Sequence, residues 1–179
     1  AQEVLLTSPT EFAILSTGGA VGGIVGGWTA SAVSQRLGSG PSLWATLTVG
    51  GVTSIIIGLT SWWPLVWLMF TTSMYVAVLW NVITVSLRQA IIPDHLLGRV
   101  NSVYRFFAWG SIPIGALIGG AIILFAELAT SREMALRLPW FASGAGQLLL
   151  LGFATRHLTT ASIDGARTAA QSGPAEKAG

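Results

Sequence analysis

Four long stretches of the chain carry no charged side chain and no histidine. They run from Phe12 to Gln35, from Leu37 to Leu87, from Phe106 to Ala126 and from Leu138 to Thr155. An α-helix rises about 1.5 Å per residue and the hydrocarbon layer of a bilayer is about 30 Å thick, so roughly 20 apolar residues cross it once. The pattern therefore predicts membrane-spanning helices.

The second stretch is too long for one crossing and must fold back on itself. The segment Ser61-Trp62-Trp63-Pro64 marks the place, because a proline can begin a helix and paired indoles suit the headgroup region. The sequence thus predicts an all-α polytopic membrane protein. We expect its five spans at residues 12–34, 42–61, 64–87, 106–126 and 138–155.

Composition and pattern argue against several other classes of protein. Of the 179 residues, 52% are hydrophobic and only 9% are charged, which argues against a freely soluble enzyme. A buried soluble core is the alternative for apolar runs, but soluble helices need a polar face that these stretches lack. Continuous runs also disfavour a membrane barrel, whose strands alternate. The scattered arginines are a poor footprint for nucleic acid.

The connections between the spans predict the orientation. Lysine and arginine stay on the cytoplasmic side, and one set of alternate connections collects seven of them against two on the other. Residues 1–11 are therefore expected to form an external loop, residues 12–157 a helix bundle in the cytoplasmic membrane, and residues 158–179 a disordered cytoplasmic tail. Because five spans with an external start is unusual and residue 1 is alanine, we expect a piece of a longer protein.

Glycines mark the first and fourth spans. Gly18, Gly22 and Gly26 belong to two overlapping small-residue ladders in the first span, which allow close approach of another helix. The fourth span carries Pro113, expected to kink the helix, with Gly115 and Gly119 beside it. Static packing and a kink that bends during function are both open interpretations.

The third span has the only clear polar stripe. An amide in hydrocarbon needs a partner, so Asn81 must face another helix or a wet cavity. The neighbouring indole of Trp80 either packs between helices or stacks on a flat solute. The stripe follows helical spacing through Ser73, Ala77, Trp80, Asn81, Thr84 and Arg88, and we predict Ser73, Trp80, Asn81 and Thr84 as candidate cavity residues.

The connection from Arg88 to Arg105 is the most distinctive segment. Asp94 follows Pro93 and is placed to cap a short helix, and Arg88, Arg99 and Arg105 surround this acid in the sequence. No other histidine or cysteine stands near His95 at ligand spacing, so no metal site is predicted. No catalytic residues and no cofactor are expected either.

The inner connection and the fourth span contain a series of short motifs, and a further one follows the first span. They are Arg88-Gln89, Pro93-Asp94, Gly98-Arg99-Val100, Ser102, Tyr104-Arg105, Pro113, Gly115-Ala116-Leu117 and Gly119-Gly120, and Arg36-Leu37-Gly38 after the first span. These motifs resemble those of the major facilitator superfamily, within it the drug and siderophore exporter branch of macrolide-efflux-like and enterobactin-exporter-like proteins. The resemblance covers residues 7–156 and implies spans eight to twelve of that fold. It departs from the family where a signature acid is missing and Ser31 stands near its place.

The resemblance implies a fragment of a secondary active exporter of small organic molecules, working by alternating access. Its partners would be the lipid bilayer, the missing N-terminal half and a small-molecule solute. We hypothesise that Arg36, Arg88, Asp94, Arg99 and Arg105 form a cytoplasmic gating loop. The alternative from another class is a non-transporting membrane scaffold or assembly subunit that packs through its small-residue faces.

Overall fold

A computed structural model of the chain describes residues 4–157, which form five α-helices. Their bounds are α1 Pro9–Leu37, α2 Ser39–Leu59, α3 Trp63–Ile91, α4 Asp94–Ala126 and α5 Arg132–His157. The predicted tail at residues 158–179 lies outside the described part. We call one end of the bundle the Trp62 end; it holds Ser8 and the connections 60–62 and 127–131. The opposite end, with Gly38 and the connection 92–93, is the Pro93 end.

The all-α prediction is confirmed, and each predicted span falls on its own helix. Within residues 4–157, α1, α2, α3 and α4 are long and apolar enough to cross a membrane. Helix α5 is not in this group; Arg132, Glu133 and Arg137 occupy its first turns, and the uncharged stretch that follows includes Pro139, Ser143 and Gln147. Residues 4–157 thus form an all-helical bundle in which four helices have membrane-spanning length and composition.

The predicted turn after the second helix is confirmed in its position. Helix α2 ends at Leu59 and α3 begins at Trp63, with Pro64 in its first turn where the missing N–H costs no hydrogen bond. At the other end of the bundle, Gly38 alone separates α1 from α2, at a φ of 80°. This value lies in the left-handed region that glycine tolerates best.

Helix α1 begins earlier than predicted because its first turn is capped. The Oγ of Ser8 accepts from the backbone N–H of Glu11 at 3.3 Å, and the Glu11 carboxylate accepts from the backbone N–H of Ser8 at 2.7 Å. This capping box satisfies two N–H groups that a helix start leaves free. Residues 9–11 are therefore helical rather than part of the expected external loop.

The ladder of Gly18, Gly22 and Gly26 packs against α3, as the sequence predicted for a close helix interface. All three are buried. A Cβ added at Gly18 would lie 2.9 Å from the carbonyl oxygen of Trp67, and one at Gly22 would overlap the backbone of Thr71. The partner residues advance in step along both helices, so α1 and α3 run parallel in direct backbone contact.

Helix α2 packs against both α3 and α5. It runs antiparallel to α3 and to α5, and a polar contact ties it to each of them. Ser73 on α3 donates to Thr53 at 3.0 Å, and the Gln147 amide on α5 donates to Ser54 at 3.4 Å. Two adjacent hydroxyls of α2 thus fix the depth at which α3 and α5 pack.

Helix α4 lies at the edge of the bundle and has no buried residue. It continues without a break from Asp94 through Pro113, so the expected short helix and the expected fourth span are one element. The prediction that Asp94 caps a helix is wrong: the N-cap is Pro93, no side chain caps the end, and Asp94 lies in the first turn. There its negative charge still suits the positive end of the helix dipole.

Candidate functional site

A cavity of about 460 Å³ opens between α2, α3 and α5 in the middle of the bundle. We call it the central cavity. Helix α3 supplies residues from Phe70 to Asn81, while α2 and α5 supply the facing walls. The lining residues are Thr46, Leu47, Gly50, Ser54, Phe70, Ser73, Val76, Ala77, Trp80, Asn81, Trp140, Gln147 and Leu150.

The polar groups of the central cavity are neutral. None of the described residues that line the cavity carries a charge. A bound solute would therefore be recognised through hydrogen bonds, shape and apolar contact. Gln147 reaches across to α2 because Gly50 has no side chain: a Cβ at Gly50 would overlap the Gln147 Oε1. The amide nitrogen donates to Ser54 and to Ser143, each at 3.4 Å.

Aromatic rings complete the wall. Trp80 on α3 and Trp140 on α5 both face the central cavity, and Trp140 meets Phe70 edge-to-face with ring centroids 5.8 Å apart and an interplanar angle of 72°. Such arrangements are the favoured geometry of aromatic pairs. Three rings and two carboxamides, those of Asn81 and Gln147, thus surround one uncharged space.

Three of the four residues predicted for a cavity lie on this one: Ser73, Trp80 and Asn81. The fourth, Thr84, does not line it, and its hydroxyl bonds back to the carbonyl of Trp80 at 2.9 Å. Asn81 is exposed and also makes a local bond, from its Nδ2 to the carbonyl of Ala77 at 3.3 Å; its Oδ1 has no hydrogen-bond partner within residues 4–157.

The sequence reasoning missed the contribution of α5. Trp140 and Gln147 lie in the last predicted span, where the glutamine was the only strongly polar side chain and could have been singled out. Sequence spacing does not show that Gln147 lies near the α3 residues of the cavity. Only the antiparallel packing of α2 against α5 brings Gln147 beside Ser54. The helical stripe of α3, in contrast, is visible from spacing alone.

The predicted arginine cluster does not form around Asp94. Among the described residues Asp94 makes no ion pair, and two of the arginines lie over aromatic rings instead. The guanidinium carbon of Arg88 lies 3.8 Å from the ring centroid of Tyr104, and that of Arg105 lies 5.8 Å from Trp109. The first of these cation–π contacts joins the end of α3 to α4, while the second lies within α4 itself.

The remaining predicted residues are more exposed. Arg36 lies in the last turn of α1, where its charge suits the helix dipole, and Arg99 is exposed on α4. Pro113 and Gly115 are exposed and Gly119 is half-buried. A Cβ added at Gly115 or Gly119 would meet nothing within 4 Å, so no other part of residues 4–157 lies against the open side of these two glycines.

A second cavity, of about 360 Å³, lies toward the Trp62 end. We call it the end cavity. Its wall comes from the starts of α1, α3 and α5 and the end of α2, through the apolar cluster of Leu15, Ile57 and Val66. Arg137 lies at its rim and donates to the carbonyl of Gly58 at 2.7 Å and to the hydroxyl of Ser61 at 2.5 Å. The end cavity is therefore mainly apolar, and its one charged lining residue among those described, Arg137, is hydrogen-bonded to the end of α2 and to Ser61.

No group of three His, Asp or Glu side chains suited to a metal ion occurs within residues 4–157. Comparisons of the chain with protein-family models, with curated proteins and with solved structures found no match.

Proposed function

We propose that this chain is the carboxyl-terminal part of a secondary active transporter of the major facilitator type, which exports small organic molecules such as drugs or siderophores. In this proposal five helices, α5 included, cross the cytoplasmic membrane, with the Trp62 end outside and the Pro93 end in the cytoplasm. The N-terminal half of the same transporter packs beside them, and the two halves alternate around a solute site.

The central cavity carries the proposal. It lies at mid-depth between α5 and two helices of membrane-spanning length and composition, α2 and α3, and it combines rings with neutral hydrogen-bonding groups as small-molecule sites do. Polar groups are expensive inside a bilayer unless they have partners or serve a function. Asn81 retains an unpaired oxygen there, which a solute donor would satisfy.

The chemistry of the wall favours an uncharged solute, or an uncharged part of one, with a flat apolar portion. Such a portion can lie against Trp80 or Trp140, while hydroxyl or amide groups exchange hydrogen bonds with Asn81 and Gln147. A charged group would meet no opposite charge among the residues that line the central cavity. Any charge recognition and any energy-coupling acid belong to the proposed other half.

The double substitution Trp80→Ala and Asn81→Ala tests the site. Losing one stacking surface and one hydrogen bond is expected to weaken the apparent affinity for a solute about tenfold or more. The measurement is the concentration dependence of efflux by the full-length protein for three chemically distinct solutes: Hoechst 33342, a macrolide and a catecholate siderophore.

Two matched variants make this test specific. Thr84→Ala removes a polar group from the same stripe but outside the cavity, and Trp28→Ala removes an indole that is 82% exposed on α1. Both should leave the affinity unchanged. Unaltered affinity of the double variant for all three solutes would reject the central cavity as the solute site.

A non-transporting membrane scaffold is the second candidate, and α4 is the observation that favours it. This helix has no buried residue, and its open glycines could admit a partner helix. A scaffold predicts no solute flux from the full-length protein and unchanged partner recovery in the Trp80→Ala, Asn81→Ala variant. A transporter predicts flux that this variant reduces.

A further inference from the structure

The arginines of residues 4–157 are paired with acids at one end of the bundle and unpaired at the other. Near the Trp62 end, Arg132 contacts the Glu127 carboxylate at 2.6 Å and Arg137 contacts that of Glu133 at 2.9 Å. Toward the Pro93 end the one carboxylate within residues 4–157 is Asp94, which forms no ion pair there. The arginines on this side, none of which forms an ion pair or a hydrogen bond within residues 4–157, are Arg36, Arg88, Arg99, Arg105 and Arg156. This part of the surface therefore carries a net positive charge and unused N–H donors.

Two of these arginines border an open groove on the first turns of α4, which we call the α4 groove. Its described lining residues are Arg99, Val100, Val103 and Tyr104. At 100° per residue, helix geometry places the two valines between Arg99 at one edge and Tyr104 at the other. Arg88 joins from α3: its guanidinium carbon lies 3.8 Å from the Tyr104 ring centroid, and its Nε is without a hydrogen-bond partner. The α4 groove thus has an apolar floor with a guanidinium at each edge.

The surface beyond the α4 groove is apolar and open. Val103 is 57% exposed, and Phe107, one turn further along α4, is 68% exposed. Because α4 runs from the Pro93 end toward the Trp62 end, the charge of Arg99 lies nearer the end of the bundle and the apolar side chains lie deeper. A phospholipid has the same order, with its phosphate at the membrane surface and its acyl chains below. Arginine suits the phosphate because its planar fork can donate two hydrogen bonds to it.

We infer that the α4 groove binds an anionic phospholipid from the leaflet at the Pro93 end. Arg99 and Arg88 donate to its phosphate, and its acyl chains lie along the apolar face of α4. A zwitterionic lipid brings its own cation to the same place, whereas an anionic lipid keeps a net charge for the unpaired arginines. The inference goes beyond solute transport and rests on the proposed function only for the placement of the helices in a membrane.

Site-specific lipid quenching measures this preference, because the chain has no cysteine and can carry a single thiol-attached reporter. Any cysteines elsewhere in the full-length protein are first replaced. Phe107→Cys carries a nitrobenzoxadiazole fluorophore beside the α4 groove. Leu124→Cys, at a side chain that is 63% exposed and about 25 Å further along the helix, carries it in the opposite leaflet. The protein is reconstituted in phosphatidylcholine vesicles that contain increasing fractions of doxyl-labelled phosphatidylglycerol or of doxyl-labelled phosphatidylcholine with the same acyl chains.

At Phe107→Cys, the phosphatidylglycerol quencher should act at about a tenfold lower mole fraction than the phosphatidylcholine quencher, while Leu124→Cys should show no preference. Arg99→Gln and Arg88→Gln should each lower the preference about fivefold, the contribution of one arginine near an anionic membrane surface. Arg36→Gln removes the same charge from the same end of the bundle, but on α1 and outside the α4 groove, and should leave the preference unchanged. Arg99→Lys keeps the charge without the fork and should retain part of it.

Equal quenching by the two lipids at Phe107→Cys would overturn the lipid site. A loss in Arg36→Gln as large as that in Arg99→Gln would also overturn it, because diffuse surface charge would then explain the preference. Absence of quenching by either lipid would mean that protein covers this face of α4, and removal of the preference by inorganic phosphate at constant ionic strength would make the groove a phosphate site. Arg99 is exposed, so its variants should fold, which size-exclusion elution checks. Quenching needs no flux, so lipid selectivity without transport would reject the proposed function alone, and transport without lipid selectivity would reject the lipid site alone.

Discussion

Gly22→Ala is expected to disrupt the contact between α1 and α3 and to give the largest stability loss of the glycine-to-alanine changes within residues 4–157. The added Cβ would overlap the backbone carbonyl of Thr71, which cannot rotate away as a side chain can. Overpacking a tight interface costs about 1–3 kcal/mol, and the backbone location places this site at the upper end of that range or above.

Gly27→Ala is the matched control on the same helix. A Cβ there would meet nothing within 4 Å, so only the intrinsic preference of alanine for helices remains, about 0.5–1 kcal/mol in the stabilising direction. Thermal unfolding of the two purified variants in one detergent should therefore move the midpoint in opposite directions. Equal midpoints would mean that α1 and α3 do not approach as closely as the structure shows.

The positions of the helices could be predicted because burial in an apolar environment leaves a direct mark on the sequence. Charge-free windows placed all five helices, and the Gly18, Gly22 and Gly26 spacing predicted a tight interface before its partner was known. The identity of that partner could not be predicted. A ladder shows that something approaches closely, but only the fold selects Trp67 and Thr71 rather than residues of another helix.

Helix bounds were predicted less well, for a local physical reason. The expected fourth span starts after Arg105, yet α4 includes Arg99 and Arg105, because arginine is a good helix former and a membrane boundary is not a helix boundary. The start of α1 was readable: Ser8 followed three residues later by Glu11 is the pattern of a capping box. The charge-free window began one residue after Glu11 and concealed it.

The candidate site, too, could be predicted from the sequence only in part. The α3 residues of the central cavity share a helix face, so spacing predicted Ser73, Trp80 and Asn81. The α5 residues are brought there by tertiary packing, and Gly50 matters only because Gln147 lies against it. Thr84 was predicted on the stripe but lies one turn beyond the cavity, which the stripe could not show because it has no marker for depth.

Arg137→Met is expected to give a second large loss of stability, because the Arg137 side chain is largely buried and hydrogen-bonded to the end of α2. In the sequence Arg137 is one cation of a connection, but its side chain is only 12% exposed. It donates to the carbonyl of Gly58 at 2.7 Å and approaches that of Thr60 at 3.5 Å, so it satisfies the carboxyl end of α2. Hydrogen bonds to charged groups contribute about 1.5–3 kcal/mol each, and leaving these carbonyls unpaired adds a desolvation cost.

Three comparison variants test whether Arg137 stabilises the protein through its bonds to the α2 carbonyls or through its ion pair with Glu133. Arg137 also contacts the Glu133 carboxylate at 2.9 Å, but that side chain is 58% exposed, so Glu133→Gln should cost no more than about 1 kcal/mol. Arg132→Met, at a cation that is 62% exposed on the same helix, should cost about as little. Arg137→Lys keeps the charge but loses the planar fork that reaches two groups, and should fall in between. Chemical unfolding of the four variants in detergent gives the order, and a Glu133→Gln loss equal to that of Arg137→Met would show that the ion pair, not the α2 carbonyls, is what Arg137 stabilises.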